Sequence, residues 1–264
     1  MKTNPPKKSL GQNFLIDKNI IDIIVNAGDI KKNDIILEVG PGTGNLTEKI
    51  LSKNPKKIFA VEKDKLLTKK LYDKFKEKII LINDDILKID EKKYSNEIMV
   101  VFGNLPYNIS TQILVKWIKI ENLNNTFRRF ILMFQKEVGE RIIANTNEKN
   151  YGRLSIINGW RMNVKKITDV SPGSFYPKPK VKSTILLIEP KTKYHNLKNP
   201  KNLEYITNVF FNQRRKMVKK PLNLIFKNAN ELLQKLNINP NDRPQNLSPT
   251  KYFQICEEYE KLSS

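Results

Sequence analysis
Cysteine and histidine are nearly missing from this chain of 264 residues, which holds one of each, Cys256 and His195. One cysteine excludes an internal disulfide and any multi-cysteine zinc site, and no metal centre is expected. One histidine, between Tyr194 and Asn196 in a polar, loop-like stretch, excludes catalysis built on more than a single imidazole. Long apolar runs are absent too: no stretch approaches the roughly 18 uninterrupted apolar residues of a membrane span. The segment from Met1 through Lys8 lacks the apolar core of a signal peptide and is too short before the first motif for a transit peptide. A soluble, reducing, cytoplasmic setting is expected. Acidic residues are in deficit, 27 Asp and Glu against 48 Lys and Arg, a formal charge of +21 and a pI near 9.8. That imbalance points to a polyanionic partner, because a cationic surface releases the counterions condensed on a phosphate backbone. A bias toward Lys, Asn and Ile accounts for some of the lysines, though not for the arginine cluster at Arg214 and Arg215.

What is present is enough to fold. At 39% hydrophobic residues the chain can bury a core, and its length suits one large α/β domain with a smaller unit. Apolar residues at helical spacing (Ile20, Ile23, Ile24, Ala27) predict a helix over Ile20 to Ile30. Short apolar runs then alternate with polar helical stretches, the pattern of a wound sheet. Strands are predicted at Ile35 to Val39, Lys57 to Glu62, Ile79 to Asp84, Ile98 to Gly103 and Phe130 to Gln135. Helices are predicted at Leu46 to Ser52, Lys65 to Phe75, Ser110 to Ile120 and Lys136 to Ala144. Two further runs, Trp160 to Val170 and Ser183 to Glu189, joined by the Pro/Gly/Ser stretch Ser171 to Lys180, predict an antiparallel pair closing the sheet. Lys191 to Pro200 reads as a linker, and every periodic segment beyond Leu203 is helical. The expected division is an α/β domain over 1–190 and a small all-α domain over 191–264.

Glu38-Val39-Gly40-Pro41-Gly42-Thr43-Gly44 follows a predicted strand and opens a predicted helix. Glycines 40, 42 and 44 let the backbone turn sharply and approach a ligand without Cβ clashes. Rossmann dehydrogenases use a close variant, so the turn alone specifies only a nucleotide-like ligand. Glu62 ends the next strand about 20 residues on, where a carboxylate can accept bonds from both ribose hydroxyls of a nucleoside cofactor. Asp85 follows the third strand, placed to accept from an adenine amino group.

The most specific segment is Gly103-Asn104-Leu105-Pro106-Tyr107-Asn108-Ile109-Ser110, at the end of the fourth strand. In an open α/β sheet that edge faces the ligand crevice. The exocyclic nitrogen of adenine is a poor nucleophile because its lone pair is delocalised into the ring. An amide oxygen from Asn104 and the backbone carbonyl of Leu105 can accept its two hydrogens and so localise that lone pair. Pro106 fixes the turn, and Tyr107 offers a face for stacking, worth roughly 1–3 kcal/mol per base. No tuned general base is needed; positioning and electrostatics are the catalysis.

A second aromatic stands in Phe175-Tyr176-Pro177-Lys178-Pro179-Lys180-Val181, where Phe175 is expected to cover the opposite face of an extruded adenine. Lys178 and Lys180 are expected on the flanking phosphates, although a Pro-rich loop is also a common surface connector. Asn212-Gln213-Arg214-Arg215-Lys216-Met217-Val218-Lys219-Lys220 packs five cations into seven positions. Phe210, Phe211, Met217, Val218 and Leu222 are expected to form its buried side, leaving Arg214, Arg215, Lys216, Lys219 and Lys220 displayed to RNA.

Taken together, these segments resemble the KsgA-type small-subunit (16S) rRNA adenine N6,N6-dimethyltransferases nearly end to end. Gly11-Gln12-Asn13-Phe14-Leu15, the Gly40 turn, Glu62, Asp85, Asn104 to Tyr107, Tyr151-Gly152-Arg153-Leu154-Ser155 and Phe175 to Val181 carry the likeness. So do Phe211 to Lys216 and Arg243-Pro244-Gln245-Asn246-Leu247-Ser248-Pro249. The resemblance implies a Rossmann-like class I methyltransferase fold, α/β with a seven-stranded, mostly parallel sheet, followed by a small all-α C-terminal domain. It also implies S-adenosyl-L-methionine as cofactor, contacted by Asn13, Leu15, Gly40, Glu62, Asp85 and Asn104, with Asn104 to Tyr107 and Phe175 holding the target base. The implied substrate is 16S rRNA in an immature small ribosomal subunit, where two adjacent adenines of the 3′-terminal hairpin loop are dimethylated. Asn83-Asp84-Asp85 departs from the family, which often has glycine before the aspartate, and leaves Asp84 as an alternative ligand.

Two rivals stay open at this level. The antibiotic-resistance branch, which methylates an adenine of large-subunit rRNA, shares the Asn104 signature and the Phe175 loop. An rRNA-binding assembly factor with secondary methylation is the other. DNA adenine and protein glutamine methyltransferases usually carry Asp-Pro-Pro or Asn-Pro-Pro, which Leu105 argues against. Nothing suggests an obligate interface, and a monomer is expected.

Overall fold
Residues 11–262 are described by the structure, a computed structural model; the segment Met1 to Lys8, expected to carry no targeting signal, lies outside them. The chain begins with a two-residue strand, β1 (Phe14–Leu15), and helix α1 (Lys18–Ala27). Next come β2 (Ile35–Val39), α2 (Asn45–Leu51), β3 (Lys57–Val61), α3 (Lys65–Phe75), β4 (Ile80–Ile82), β5 (Met99–Asn104) and α4 (Ser110–Ile118). The short α5 (Leu123–Thr126), β6 (Phe127–Gln135), α6 (Lys136–Ile143), α7 (Arg153–Arg161), β7 (Met162–Val170), β8 (Phe175–Tyr176) and β9 (Ser183–Pro190) follow. Four helices close the chain: α8 (Pro200–Asn212), α9 (Lys219–Ile225), α10 (Ala229–Lys235) and α11 (Pro249–Leu262).

Seven strands form one sheet in the order β4-β3-β2-β5-β6-β9-β7. The first five run parallel, and β9 is antiparallel to β6. This is the expected Rossmann-like α/β sheet. Every residue of β2 is buried, as a central parallel strand covered on both faces requires. Ile21, Ile24 and Val25 of α1 and Leu46 and Ile50 of α2 pack with Ile36, Ile58, Val100 and Phe102 of the strands in one core. Asp17 caps α1 through the N–H groups of Asn19 and Ile20, which starts the helix at Lys18, ahead of its first apolar residue. Register levels the strand ends: Val39 lies opposite Val61 and Gly103, and Val61 opposite Ile82. Their carboxyl ends therefore share one edge, and the loops leaving them meet there.

The two compact units differ from the expected division in that residues 140–163 join the second. One compact unit comprises residues 11–139 and 164–190, the other residues 140–163 and 191–262. Tertiary partners decide this. In the second unit the Tyr151 hydroxyl donates to the Leu247 carbonyl at 2.9 Å, the Trp160 indole to the His195 carbonyl at 2.7 Å, and Arg214 to the Lys149 carbonyl at 2.7 Å. Leu154, Ile156, Ile157 and Trp160 of α7 are buried. Trp160 and Arg161, expected in the strand, thus end helix α7, and β7 begins only at Met162. β9 and β7 are neighbours at the sheet edge, as expected. Cys256 is fully buried among the helices, and burial pushes its thiol up to about 12. Among the described residues no helix is long and apolar enough to cross a membrane, and no group of three or more potential metal ligands forms.

Candidate active site
A cleft opens at the common edge of β2, β3, β4 and β5, lined by the loops that leave those strands and by residues 11–15. Its floor is the glycine turn after β2. Gly42 adopts φ +58°, and a Cβ there would stand 2.8 Å from the Phe14 ring, so the turn admits only glycine beneath that ring. Glu62, just past β3, is 7% exposed. Its Oε2 accepts the Gly42 N–H at 3.2 Å and its Oε1 the Asp64 N–H at 2.9 Å. Burial raises the carboxyl above its ordinary value, and those two N–H groups offset part of the rise. Each oxygen retains a lone pair, so the carboxylate can take two hydroxyl donors, as a ribose diol presents them.

Past β4, Asp85 accepts from the Lys63 ammonium at 2.9 Å and from the Leu87 N–H at 3.0 Å. The Lys63 bond holds its carboxyl below the ordinary value. Asp84 also lines the cleft but is exposed, and its Oδ1 turns back to accept the Asp85 N–H at 2.7 Å. Of the two, Asp85 is the carboxylate held in place.

At the end of β5, the Asn104 Nδ2 donates to the Asn13 carbonyl at 2.8 Å. A carbonyl can only accept, so the amide orientation is set. Its Oδ1 is left without a donor among the described residues. Asn13 and Leu15 reach the cleft because β1 pairs with β8, and the Asn45 side chain donates to the Leu15 carbonyl at 2.9 Å. Leu105 is buried, which restricts its expected role to the backbone carbonyl. Pro106 opens a turn closed by the Ile109 N–H on the Pro106 carbonyl at 3.1 Å. The half-buried Tyr107 is held by a 2.6 Å bond between its hydroxyl and that of Ser183. Burial raises its phenol above the ordinary value, offset in part by Ser183.

The structure corrects two expectations here. Gly44 does not line the cleft: a Cβ there would lie 2.5 Å from the Phe75 ring, so its glycine serves packing under the turn. Phe175 is 1% exposed and belongs to the core, offering no face to a base. The cause is register, since β8 places Phe175 opposite Leu15 and turns Tyr176, 60% exposed, to the other side. Sequence reasoning missed Phe14, Asn45 and Lys63. Asn45 carried a signal, as a polar side chain at the first residue of the helix after the glycine turn.

Lys178 and Lys180 are exposed on the loop after β8. In the other unit, the segment from Gln213 to Met217 is a turn between α8 and α9, tightened by the Lys216 N–H on the Gln213 carbonyl at 2.8 Å. Arg215, Lys216, Lys219 and Lys220 are exposed, while Arg214 is partly buried on the Lys149 carbonyl. Phe210, Val218 and Leu222 form the buried side, but Met217, expected with them, is 55% exposed because the turn swings it outward.

The family model described as ribosomal RNA adenine dimethylase matches residues 3–261. The chain belongs to that family. It is 55% identical to a Pelagibacter ubique protein named ribosomal RNA small subunit methyltransferase A, over 97% of each chain. A protein of the same name from Ehrlichia chaffeensis is 43% identical over 95% of each. The crystal structure of a dimethyladenosine transferase from Plasmodium falciparum superposes with a TM-score of 0.81 at 27% identity, over 95% of this chain and 98% of that one. The 23S rRNA methyltransferase ErmE shares the fold, with a TM-score of 0.70 at 20% identity over 96% of this chain and 100% of that one.

Proposed function
We propose that this protein dimethylates the N6 amino groups of two adjacent adenines in the 3′-terminal hairpin loop of 16S rRNA, with S-adenosylmethionine as methyl donor. The observation that carries the reading is the Asn104 amide, clamped by the Asn13 carbonyl with its Oδ1 left free at the cleft. Residues of the cleft fit the donor: Glu62 suits the ribose, Asp85 the adenine, and the turn from Gly40 to Gly42 the polar tail. When bound, S-adenosylmethionine supplies an electrophilic sulfonium methyl. The protein's own part is to hold the amine. Asn104 Oδ1 and the Leu105 carbonyl accept its two hydrogens, the Tyr107 ring stacks on the base, and the Ser183 hydroxyl keeps that ring in place. A methylated amine is acidic and loses its proton to water, so no side chain need act as base. Lys178, Lys180, Arg215, Lys216, Lys219 and Lys220 meet phosphates. The likeness to proteins named small subunit methyltransferase A supports the choice of subunit; the enzyme is read as a cytoplasmic monomer that acts on an immature small subunit.

The test supplies radiolabelled S-adenosylmethionine with small ribosomal subunits that lack the modification, and large subunits in parallel. N6,N6-dimethyladenosine from the small subunit alone is the expected product. Label in the large subunit would move the protein to the resistance branch, and label in neither would leave an RNA-binding assembly factor.

A further inference from the structure
The ribbon of β1 and β8 sorts four side chains onto two faces. Residues directly opposite in an antiparallel pair project to the same side, and the register sets Phe14 against Tyr176 and Leu15 against Phe175. Phe14 lines the cleft with its ring over Gly42. Tyr176 therefore stands on the Phe14 side of the ribbon, at the rim, while Phe175 turns into the core. Tyr176 is 60% exposed, and among the described residues no hydrogen bond or ring contact holds its side chain. The loop beyond it displays Lys178, Lys180 and Lys182, all exposed and none in an ion pair among the described residues.

An aromatic face beside a row of unpaired cations is the arrangement that binds single-stranded nucleic acid, with the ring under a base and the ammonium groups on phosphates. We propose that Tyr176 is a second stacking platform, receiving the nucleotide beside the target adenine, with Lys178, Lys180 and Lys182 on the adjoining phosphates. This assignment rests on the rRNA reading above. Tyr107 engages the base inside the cleft; Tyr176 engages its neighbour at the rim and so fixes the approach of a two-adenine target.

Binding of unmodified small subunits is compared for the wild type, Tyr176→Ala and Tyr176→Phe over a range of salt, with S-adenosylmethionine affinity and melting temperature measured alongside. The Ala variant should bind subunits about 5- to 150-fold more weakly at every salt concentration. The Phe variant should stay close to the wild type, because the ring face and not the hydroxyl stacks on the base. Salt slope, cofactor affinity and melting temperature should not change in either. Unchanged binding by the Ala variant, equal losses in both variants, or a loss accompanied by lower cofactor affinity or stability would each overturn the platform, as would a wild type that binds no subunits. Wild-type binding without methyl transfer to the same subunits would sink the enzymatic reading and leave the platform standing.

Discussion

Replacing Glu38 by Gln removes a buried carboxyl from β2, the strand that leads into the glycine turn. Glu38 lies in β2 and is 1% exposed, and no hydrogen bond of standard geometry reaches either carboxylate oxygen. Burial raises the carboxyl from an ordinary 4.5 to about 7; the nearby Thr47 hydroxyl opposes the rise and the Glu62 carboxylate adds to it. That difference corresponds to about 3 kcal/mol between the two protonation states. The sign follows from linkage: a carboxyl raised in the folded state contributes stability that is fully present below pH 4.5 and is lost as the pH climbs through about 7. The Gln variant keeps the shape and carries no charge. It should match the wild type near pH 5 within about 1 kcal/mol and exceed it by about 3 kcal/mol at pH 8, or roughly 5–10 °C in melting temperature for a chain of this size. Thermal melts of both proteins from pH 5 to pH 8 measure this directly. Parallel pH profiles, or a variant less stable at pH 8, would refute the picture of an unpaired buried carboxyl.

Asn104→Ala should lower turnover by roughly 10²–10³-fold, the scale seen when one positioned polar group is removed from a reacting centre, and single-turnover labelling of small subunits reads it. Phe175→Ala should destabilise the fold by about 3–5 kcal/mol and weaken S-adenosylmethionine binding as well, because Phe175 backs Leu15 across the ribbon; calorimetry that finds cofactor affinity intact would return Phe175 to the substrate side. Joint replacement of Arg215, Lys216 and Lys219 by Ala should flatten the salt dependence of subunit binding by about 0.7–0.9 in log–log slope for each phosphate that is no longer neutralised, and an unchanged slope would remove them from the interface.

Much of the α/β unit can be read from local pattern, since a strand covered on both faces must be largely apolar, and the runs Ile35–Leu37 and Met99–Phe102 are. The glycine turn, Glu62, Asp85 and Asn104 are equally legible, because parallel strands bring their carboxyl ends to one edge whatever the details of packing. What the linear chain leaves open is decided by contacts between distant residues. Asn13 and Asn104 are 91 positions apart, and only the folded chain sets the amide that their hydrogen bond orients. Phe175 and Tyr176 are adjacent aromatics with equal claim to a base until the register with Leu15 and Phe14 buries one and exposes the other. Residues 140–163 leave the α/β unit because Tyr151 and Trp160 find their acceptors at Leu247 and His195. Hydrophobic periodicity states which face of a segment is buried, but not what covers it. That choice belongs to the tertiary structure, where a one-residue change of register exchanges the side chain in the core for the one at the surface.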